Sequence, residues 1–308
     1  MVRIPFGAWV ETLVEFVTEA FGGLFDVIRA IFGGFYEAVD WVLSAPPFWV
    51  VIILVMALGV YARGWFLGVG AGAGLFLISA MNQWDNAMDT LALTIVAAFL
   101  ALVISIPIGI WAAHSRTVST VVKPVLDFLQ TMPAFVYLIP AIILFHVGVV
   151  PGIVATIAFA LAPGVRLTEL GIRGVDEEIV EAGHAFGSSP GRILRQIQLP
   201  LALPTIMAGV NQVIMLSLSM VVIASMVGAE GLGLDIVRAL QSIDVGLGAE
   251  AGVAVVILAI LLDRLTATLG GKRRGWPASE KRTVSIGSPQ VDTSSTELQP
   301  VDAMPTVA

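Results

Sequence analysis

Cysteine is absent from this 308-residue sequence, and charged residues make up only 13% of it. The absence of cysteine excludes disulfides, thiolate metal sites and a cysteine nucleophile. With 57% hydrophobic residues, so low a share of charge also excludes a disordered chain and most water-soluble enzymes. The net charge of −7 argues against binding to nucleic acid, whose phosphate backbone attracts basic proteins. The composition is typical of a polytopic membrane protein.

Two further absences narrow the function. No phosphate-binding loop of the form G-x-x-x-x-G-K-[S/T] occurs, and Gly271-Lys272 is followed by arginine, so we expect the chain not to hydrolyse ATP. The three histidines, His114, His146 and His184, are too scattered along the chain for a metal site. We therefore predict a non-catalytic chain with no cofactor or metal of its own.

Long apolar runs predict an all-α protein with about seven transmembrane helices. A helix needs roughly 20 predominantly apolar residues to cross the hydrocarbon core of a bilayer. Only three residues separate the first two runs, which predicts a tight helical hairpin. The predicted spans are Phe48–Tyr61, Trp65–Met81, Thr90–Ala113, Leu126–Val150, Gly152–Val165, Thr205–Val227 and Glu250–Leu262. Together they predict a transmembrane domain over residues 46–270.

The distribution of Lys and Arg predicts the orientation, because basic residues accumulate in cytoplasmic loops. Seven spans put the two termini on opposite sides of the membrane. With the C-terminus in the cytoplasm, only Arg3, Arg29 and Arg238 of the 16 basic residues lie outside. We therefore predict an extracytoplasmic N-terminus and a cytoplasmic C-terminus.

Both ends of the chain differ from the predicted transmembrane domain. Residues 1–45 form an N-terminal extension on the extracytoplasmic side, with the periodicity of an amphipathic helix broken or bent at Gly22-Gly23 and Gly33-Gly34. Its acidic face lacks the basic residues that attract helices to anionic lipid, so its apolar face fits either the membrane interface or the rest of the protein. Residues 271–308 are polar and rich in Ser, Thr and Pro, which predicts a disordered cytoplasmic tail.

A cytoplasmic loop over residues 166–204 carries two short helical patterns. Asp176 to Phe186 predicts the first helix, with acidic residues in its first turn, where the helix dipole favours them. Gly187-Ser188 predicts a turn, and Pro190 to Gln198 predicts a second helix that ends at Leu199-Pro200. The pattern predicts a compact cytoplasmic knob, although these physical signals fit a purely structural loop equally well.

The residues of this loop resemble the coupling motif of ABC importer permeases, which reads E-A-A, three residues, G, nine residues, I-x-L-P. In this chain the motif is Glu181-Ala182-Gly183, then Gly187, then Ile197-Gln198-Leu199-Pro200, and every spacing is kept. The one departure is Gly183, where the family usually has alanine. Glycine at this position lowers helix propensity by roughly 1 kcal/mol.

Two segments in the C-terminal half of the chain indicate which group of ABC permeases it resembles. Residues 198–233, QLPLALPTIMAGVNQVIMLSLSMVVIASMVGAEGLG, and residues 251–266, AGVAVVILAILLDRLT, resemble the glycine betaine/proline betaine permeases of the ProW and OpuA type. The resemblance is detailed over about residues 85–270 and looser outside them. It implies the type I ABC importer permease fold, in a multi-pass protein of a bacterial or archaeal cell (inner) membrane. The implied role is the import of quaternary ammonium solutes for osmoprotection.

The resemblance also implies partners. Two cytoplasmic ATPase subunits would bind ATP-Mg, an extracytoplasmic binding protein would deliver the solute, and a second copy of the permease would complete a homodimer. In such importers the knob sits in a groove of the ATPase and transmits its closure to the spans. The ATPase-coupling residues implied here are Glu181, Ala182, Gly183, His184, Gly187, Ile197, Leu199 and Pro200. We also expect Phe186 to pack within the knob, and Arg192 and Arg195 to pair with the ATPase or with Glu177 and Glu178.

The sixth predicted span carries the candidate translocation pathway. Asn211, Met215 and Ser219 share a helical face, and Gln212 lies beside them. The alternative is that these polar side chains only bond neighbouring helices. No aromatic cage for a quaternary ammonium group is visible, because the tryptophans lie mostly at span ends, so we expect specificity to reside chiefly in the binding protein.

Two alternatives remain for the function. The solute could be choline, carnitine or an amino acid, with no difference detectable in this sequence. An ion-coupled secondary transporter is the alternative class, but such carriers place ionisable residues within their spans. The central spans here contain only two, Asp127 at the start of the fourth span and His146 near an outer end.

Overall fold

The computed structural model describes residues 5–269, and every regular element in that range is helical. The predicted tail therefore lies outside the described residues. The helices are α1 (Phe6–Ser44), α2 (Phe48–Arg63), α3 (Trp65–Ala80), α4 (Trp84–His114), α5 (Arg116–Thr131), α6 (Ala134–Phe145), α7 (Val149–Arg173), α8 (Glu177–Ala185), α9 (Pro190–Ile193), α10 (Leu199–Ser219), α11 (Val221–Ser225), α12 (Leu232–Ser242) and α13 (Val245–Leu269). A π-helical segment, Leu194–Gln198, joins α9 to α10.

The described residues contain four helices that are each long and apolar enough to cross a membrane, or up to six spans if each of two bent helix pairs counts as one. The four are α4, α7, the continuous helical stretch Pro190–Ser225, and α13. Helix α3 is apolar but has only 16 residues, or about 24 Å of helix, which is less than the hydrocarbon thickness. Among the described residues, the seven predicted spans therefore correspond to fewer than seven helices that are long enough to cross a membrane.

The predicted span Leu126–Val150 is wrong as a single helix. Helices α5 and α6 occupy this region and meet at an angle of 98°. Met132 is extended (φ −71°, ψ 136°) and Pro133 follows it. Proline disfavours the helical conformation in the residue before it and has no N–H to donate, so the helix ends there and restarts in a new direction.

The N-terminal extension is one long helix, α1, which meets α2 at 93°. Its backbone leaves helical geometry at Phe21, next to the predicted Gly22-Gly23 break, and not at Gly33-Gly34. One edge of α1 packs on the rest of the protein, with the Phe25 ring 5.5 Å from that of Phe145. Another apolar edge, including Trp9, Leu13 and Ile31, is exposed.

The predicted hairpin of α2 and α3 is present and is closely packed. Gly64, with φ +100°, makes the turn between the helices, a conformation that favours glycine. A methyl group on Gly68 would lie 2.3 Å from Val60 Cγ2 and 2.7 Å from Met56 O. The absence of a side chain at Gly68 therefore lets the two backbones touch.

The core of the protein is formed by α4, α7 and α10. Small residues bring these helices together: a methyl group on Gly109 would lie 2.6 Å from Thr168 Cβ, and one on Gly164 would lie 2.8 Å from Ser105 Cβ. Such close approach is how helices associate in lipid, where apolar side chains gain little by leaving the bilayer. The loop between α7 and α10, which carries the predicted knob, is thus anchored at both ends in the core.

We predict that Gly68→Ala destabilises the hairpin, whereas Gly70→Ala does not. Both changes add one methyl group and improve helix propensity, but nothing lies within 4 Å of a methyl group at Gly70. Overpacking of this kind typically costs about 1–3 kcal/mol. Thermal unfolding of the purified protein in detergent should show a lower midpoint for Gly68→Ala only. Equal midpoints for the two variants would contradict the close packing of α2 and α3 at Gly68.

Candidate functional site

The first helix of the knob, α8, is bounded as the sequence predicts. Asp176 caps its N-terminus by accepting a hydrogen bond from the Glu178 backbone N–H (3.0 Å). At the other end Gly187 adopts φ +75°, and the Ser188 N–H donates to the Gly183 carbonyl (3.1 Å). Such a left-handed glycine is a common way to end a helix and satisfy its last carbonyls. We use "the knob" below for residues 176–198.

The second half of the knob differs from the prediction, because the chain stays helical through Leu199-Pro200. The segment Leu194–Gln198 is π-helical, and the Leu199 N–H donates to the Leu194 carbonyl five residues earlier. The wider turn accommodates the ring and missing N–H of Pro200, which lies in the first turn of α10. The knob is therefore joined to the core helix α10 without a break.

The two halves of the knob are held together around Gly183. This residue is buried, and a methyl group on it would lie 2.9 Å from Ile197 Cδ1 and 3.3 Å from Ile193 Cγ1. Ile193 is 3% exposed, and Ile197 is half-buried. Glycine in place of the family's usual alanine thus makes room for an isoleucine. Gly183 and Ile197 shape the knob from inside.

The other motif residues lie on the outer surface of the knob or, for Leu199 and Pro200, directly after it. Glu181, Ala182, His184, Gly187 and Pro200 are exposed, and Leu199 is half-buried.

Phe186, which we expected to pack within the knob, is instead 90% exposed. Phe186 directly follows the last residue of α8, and its ring faces solvent rather than the interior around Gly183. Arg192 and Arg195 are exposed too, and neither forms an ion pair within residues 5–269. Exposed aromatic and arginine side chains are both enriched at protein–protein interfaces.

A charged network at the base of the knob was not predicted from the sequence. Glu169 of α7, only 5% exposed, accepts a hydrogen bond from Ser119 Oγ (2.7 Å). It also pairs with Lys123 Nζ (3.3 Å) and Arg173 Nη2 (3.2 Å). The four-residue spacing of Glu169 and Arg173 was visible as a helical pair, but the contribution of α5 depends on the fold. The network fixes α5 against the end of α7.

Two contacts join the base of the knob to the end of α4. Arg173 Nη2 donates to the Ala112 carbonyl (2.8 Å), just before the knob begins. Gln198 Oε1 lies 3.2 Å from His114 Nε2, where the knob ends.

The candidate pathway residues divide into two groups. Asn211 donates to Asp263 Oδ1 (3.0 Å) and accepts from Thr266 Oγ1 (2.7 Å), so it bonds α10 to α13. Gln212 and Ser219 are exposed. Met215 is half-buried, and its carbonyl accepts a hydrogen bond from Ser219 Oγ (2.9 Å).

The opposite end of α4 is bonded to α12. Asn86 Nδ2 donates to Asp235 Oδ2 (2.6 Å), and the Leu232 N–H donates to Thr90 Oγ1 (2.9 Å). Asp235 also pairs with Arg238 (3.2 Å). Across residues 5–269 no group of three or more acidic or histidine side chains is arranged to hold a metal ion. Asp235 bonds α12 to α4 through Asn86.

Comparison with known proteins gives the same family as the knob motif. The family described as "Binding-protein-dependent transport system inner membrane component" matches residues 105–274. The glycine betaine/carnitine transport permease protein GbuB of Listeria monocytogenes is 49% identical over 276 residues, which cover 88% of this chain and 97% of that protein. The glycine betaine transport system permease protein OpuAB of Bacillus subtilis is 44% identical over 88% of this chain and 96% of its own length.

Solved structures support the fold. Inward-facing structures of the MetNI methionine ABC transporter include a chain that is 23% identical, with a TM-score of 0.54 over 61% of this chain and 94% of that one. At this identity the similarity concerns the fold alone. From the matched relatives, the family match and the knob motif, we conclude that the chain belongs to the binding-protein-dependent transport system inner membrane components, and among them to the ProW/OpuA-type ABC permeases.

Proposed function

We propose that this chain is the non-catalytic permease subunit of an ATP-driven importer for glycine betaine or a related quaternary ammonium solute. Relatives at 44–49% identity are named for transport of glycine betaine, alone or together with carnitine or proline betaine. The observation that carries the proposal is the exposed knob, whose two ends continue into the core helices α7 and α10. A knob so attached suits the transfer of force from a partner to the spans.

The proposed partner at the knob is a cytoplasmic ATPase, one for each of two permease copies, and this partner binds ATP-Mg. Glu181, Ala182, His184 and Gly187 provide the exposed surface, and Gly183 supports it from inside. The exposed Phe186 ring adds an apolar anchor of the kind that dominates binding energy at protein interfaces. ATP-driven closure of the ATPase pair would move each knob, and with it α7 and α10.

A second copy of this chain is the proposed partner in the membrane. Ala208, Gln212 and Ser219 are exposed along one face of α10, at spacings of four and seven residues. Amide and hydroxyl groups are poorly solvated by lipid and favour protein or water. A homodimer that encloses this face would turn Gln212 and Ser219 towards a shared solute pathway. Asn211, bonded to α13, has a packing role instead.

The proposed orientation puts the knob in the cytoplasm and α1 on the extracytoplasmic side of a cell membrane. The distribution of basic residues supports it. Because α1 meets α2 at 93°, α1 would lie along the membrane surface if α2 crosses it. Its exposed Trp9, Leu13 and Ile31 would then lie in the lipid interface, while an extracytoplasmic binding protein delivers the solute to the same side.

The first test is uptake of radiolabelled glycine betaine into proteoliposomes. We expect uptake only when the permease, its ATPase, its binding protein and ATP are all present. Omitting each component in turn is the control. Uptake by the permease alone would contradict the proposal, and ATP-dependent uptake of carnitine or choline instead would correct the solute.

The second test is Phe186→Ala. The ring is exposed, so its removal leaves no internal cavity, and lost activity would report lost docking. Loss of an aromatic interface anchor commonly costs about 2 kcal/mol, which predicts about a thirtyfold weaker association with the ATPase. Co-purification and uptake measure the effect.

Leu240→Ala is the matched control for Phe186→Ala. Leu240 is 73% exposed and belongs to α12, which contacts the opposite end of α4 from the knob. We expect this variant to keep wild-type ATPase binding. Equal ATPase binding by Phe186→Ala and wild type would remove Phe186 from the interface.

A further inference from the structure

The knob has two attachment points on a single turn of α4. Arg173, the last residue of α7, donates to the Ala112 carbonyl (2.8 Å), and Gln198, the last residue of the knob, bonds the His114 ring (3.2 Å). Twenty-five residues separate Arg173 from Gln198 in the chain, yet their partners are two residues apart. The chain is therefore tied to the same short stretch, residues 110–114, just before the knob begins and again where it ends.

The His114 ring is held in a defined orientation. Its Nδ1 lies 2.8 Å from the Ile110 carbonyl, which can only accept, so Nδ1 carries a proton. Its Nε2 then donates to Gln198 Oε1 in the charged ring. In the neutral ring Nε2 accepts from the Gln198 amide, once that amide is turned over. The contact with Gln198 thus exists in either protonation state.

Direct contact between the knob and α4 is restricted to a few points. A cavity of about 540 Å³ lies between the end of α4 and the knob, and His114, Arg116, Arg173, Glu177 and Gln198 are among its lining residues. Beneath it, a small apolar cluster joins Ile110 to Ile172, Ala202 and Leu199. Apolar burial is non-directional and tolerates sliding, whereas a hydrogen bond is sensitive to angle and distance.

We propose that residues 110–114 of α4 receive the motion of the knob, and that Arg173 and Gln198 are the positioning residues that carry it. Helix α4 spans about 46 Å and is bonded at its other end to α12. A displacement of the knob would therefore reach the opposite side of the protein through α4 as well as through α7 and α10. This inference rests on the proposed function, because the knob moves only if an ATPase drives it.

The test is Gln198→Ala in the complete transporter, with Gln196→Ala as the matched control. Gln196 is exposed, belongs to the same π-helical segment, and forms no side-chain hydrogen bond within residues 5–269. We measure solute imported per ATP hydrolysed. Loss of one hydrogen bond predicts about a threefold to tenfold drop in this ratio for Gln198→Ala, with the ATPase still bound and still hydrolysing ATP. We expect Gln196→Ala to match wild type.

A double-mutant cycle with His114→Ala separates transmission from a general structural effect. If Gln198 acts through His114, the double variant loses no more than either single variant. An import ratio that stays at the wild-type value in Gln198→Ala, or losses that add in the double variant, would overturn the inference. If Gln198→Ala fails to assemble, Gln198→Met removes the amide but keeps the chain length, and the same outcomes apply. Absence of ATP-driven uptake by the wild type would instead refute the proposed function.

Discussion

Close contact between α4, α7 and α10 is the constraint on which the rest of the structure depends. In a bilayer the hydrophobic effect does not drive helices together, so association relies on close packing. Gly109 and Gly164 allow this packing, because any side chain there would overlap Thr168 or Ser105. The resulting core holds both ends of the knob. A short, stiff connection between the exposed knob and the spans follows from this packing.

Sequence signals at helix ends and turns correctly predicted those parts of the fold that depend on neighbouring residues alone. The cap at Asp176 and the left-handed Gly187 bound α8 as the sequence indicates, and Gly64 forms the turn of the predicted hairpin. The predictions were wrong at two prolines, where a helix can either end or continue with an altered backbone geometry. Pro133 divides one apolar run into two helices, whereas Pro200 is accommodated by a π-helical turn and divides nothing. Hydropathy does not distinguish these two outcomes.

The sequence predicted where along the chain the candidate site lies, but not how its side chains are arranged. The motif spacing located the knob, but only the packing shows that Gly183 lies inside it and that Phe186 lies outside. Contacts between distant segments, such as that of His114 with Gln198, leave no periodic trace in a single sequence. The same holds for Asn211, whose partners on α13 lie more than 50 residues away. As a result, the sequence could not show that Asn211 packs against α13 while Gln212 and Ser219 are exposed.

Site-specific cross-linking tests the central claim, that the knob contacts an ATPase, most directly. The chain has no cysteine, so a single cysteine in Ala182→Cys provides a unique attachment point on the exposed face of α8. A short photoreactive probe there should cross-link the permease to the ATPase, with a yield that changes when ATP is added. The same probe in Leu240→Cys should give no such product. Cross-linking of the ATPase from Leu240→Cys, or none from Ala182→Cys in an actively transporting complex, would contradict the account.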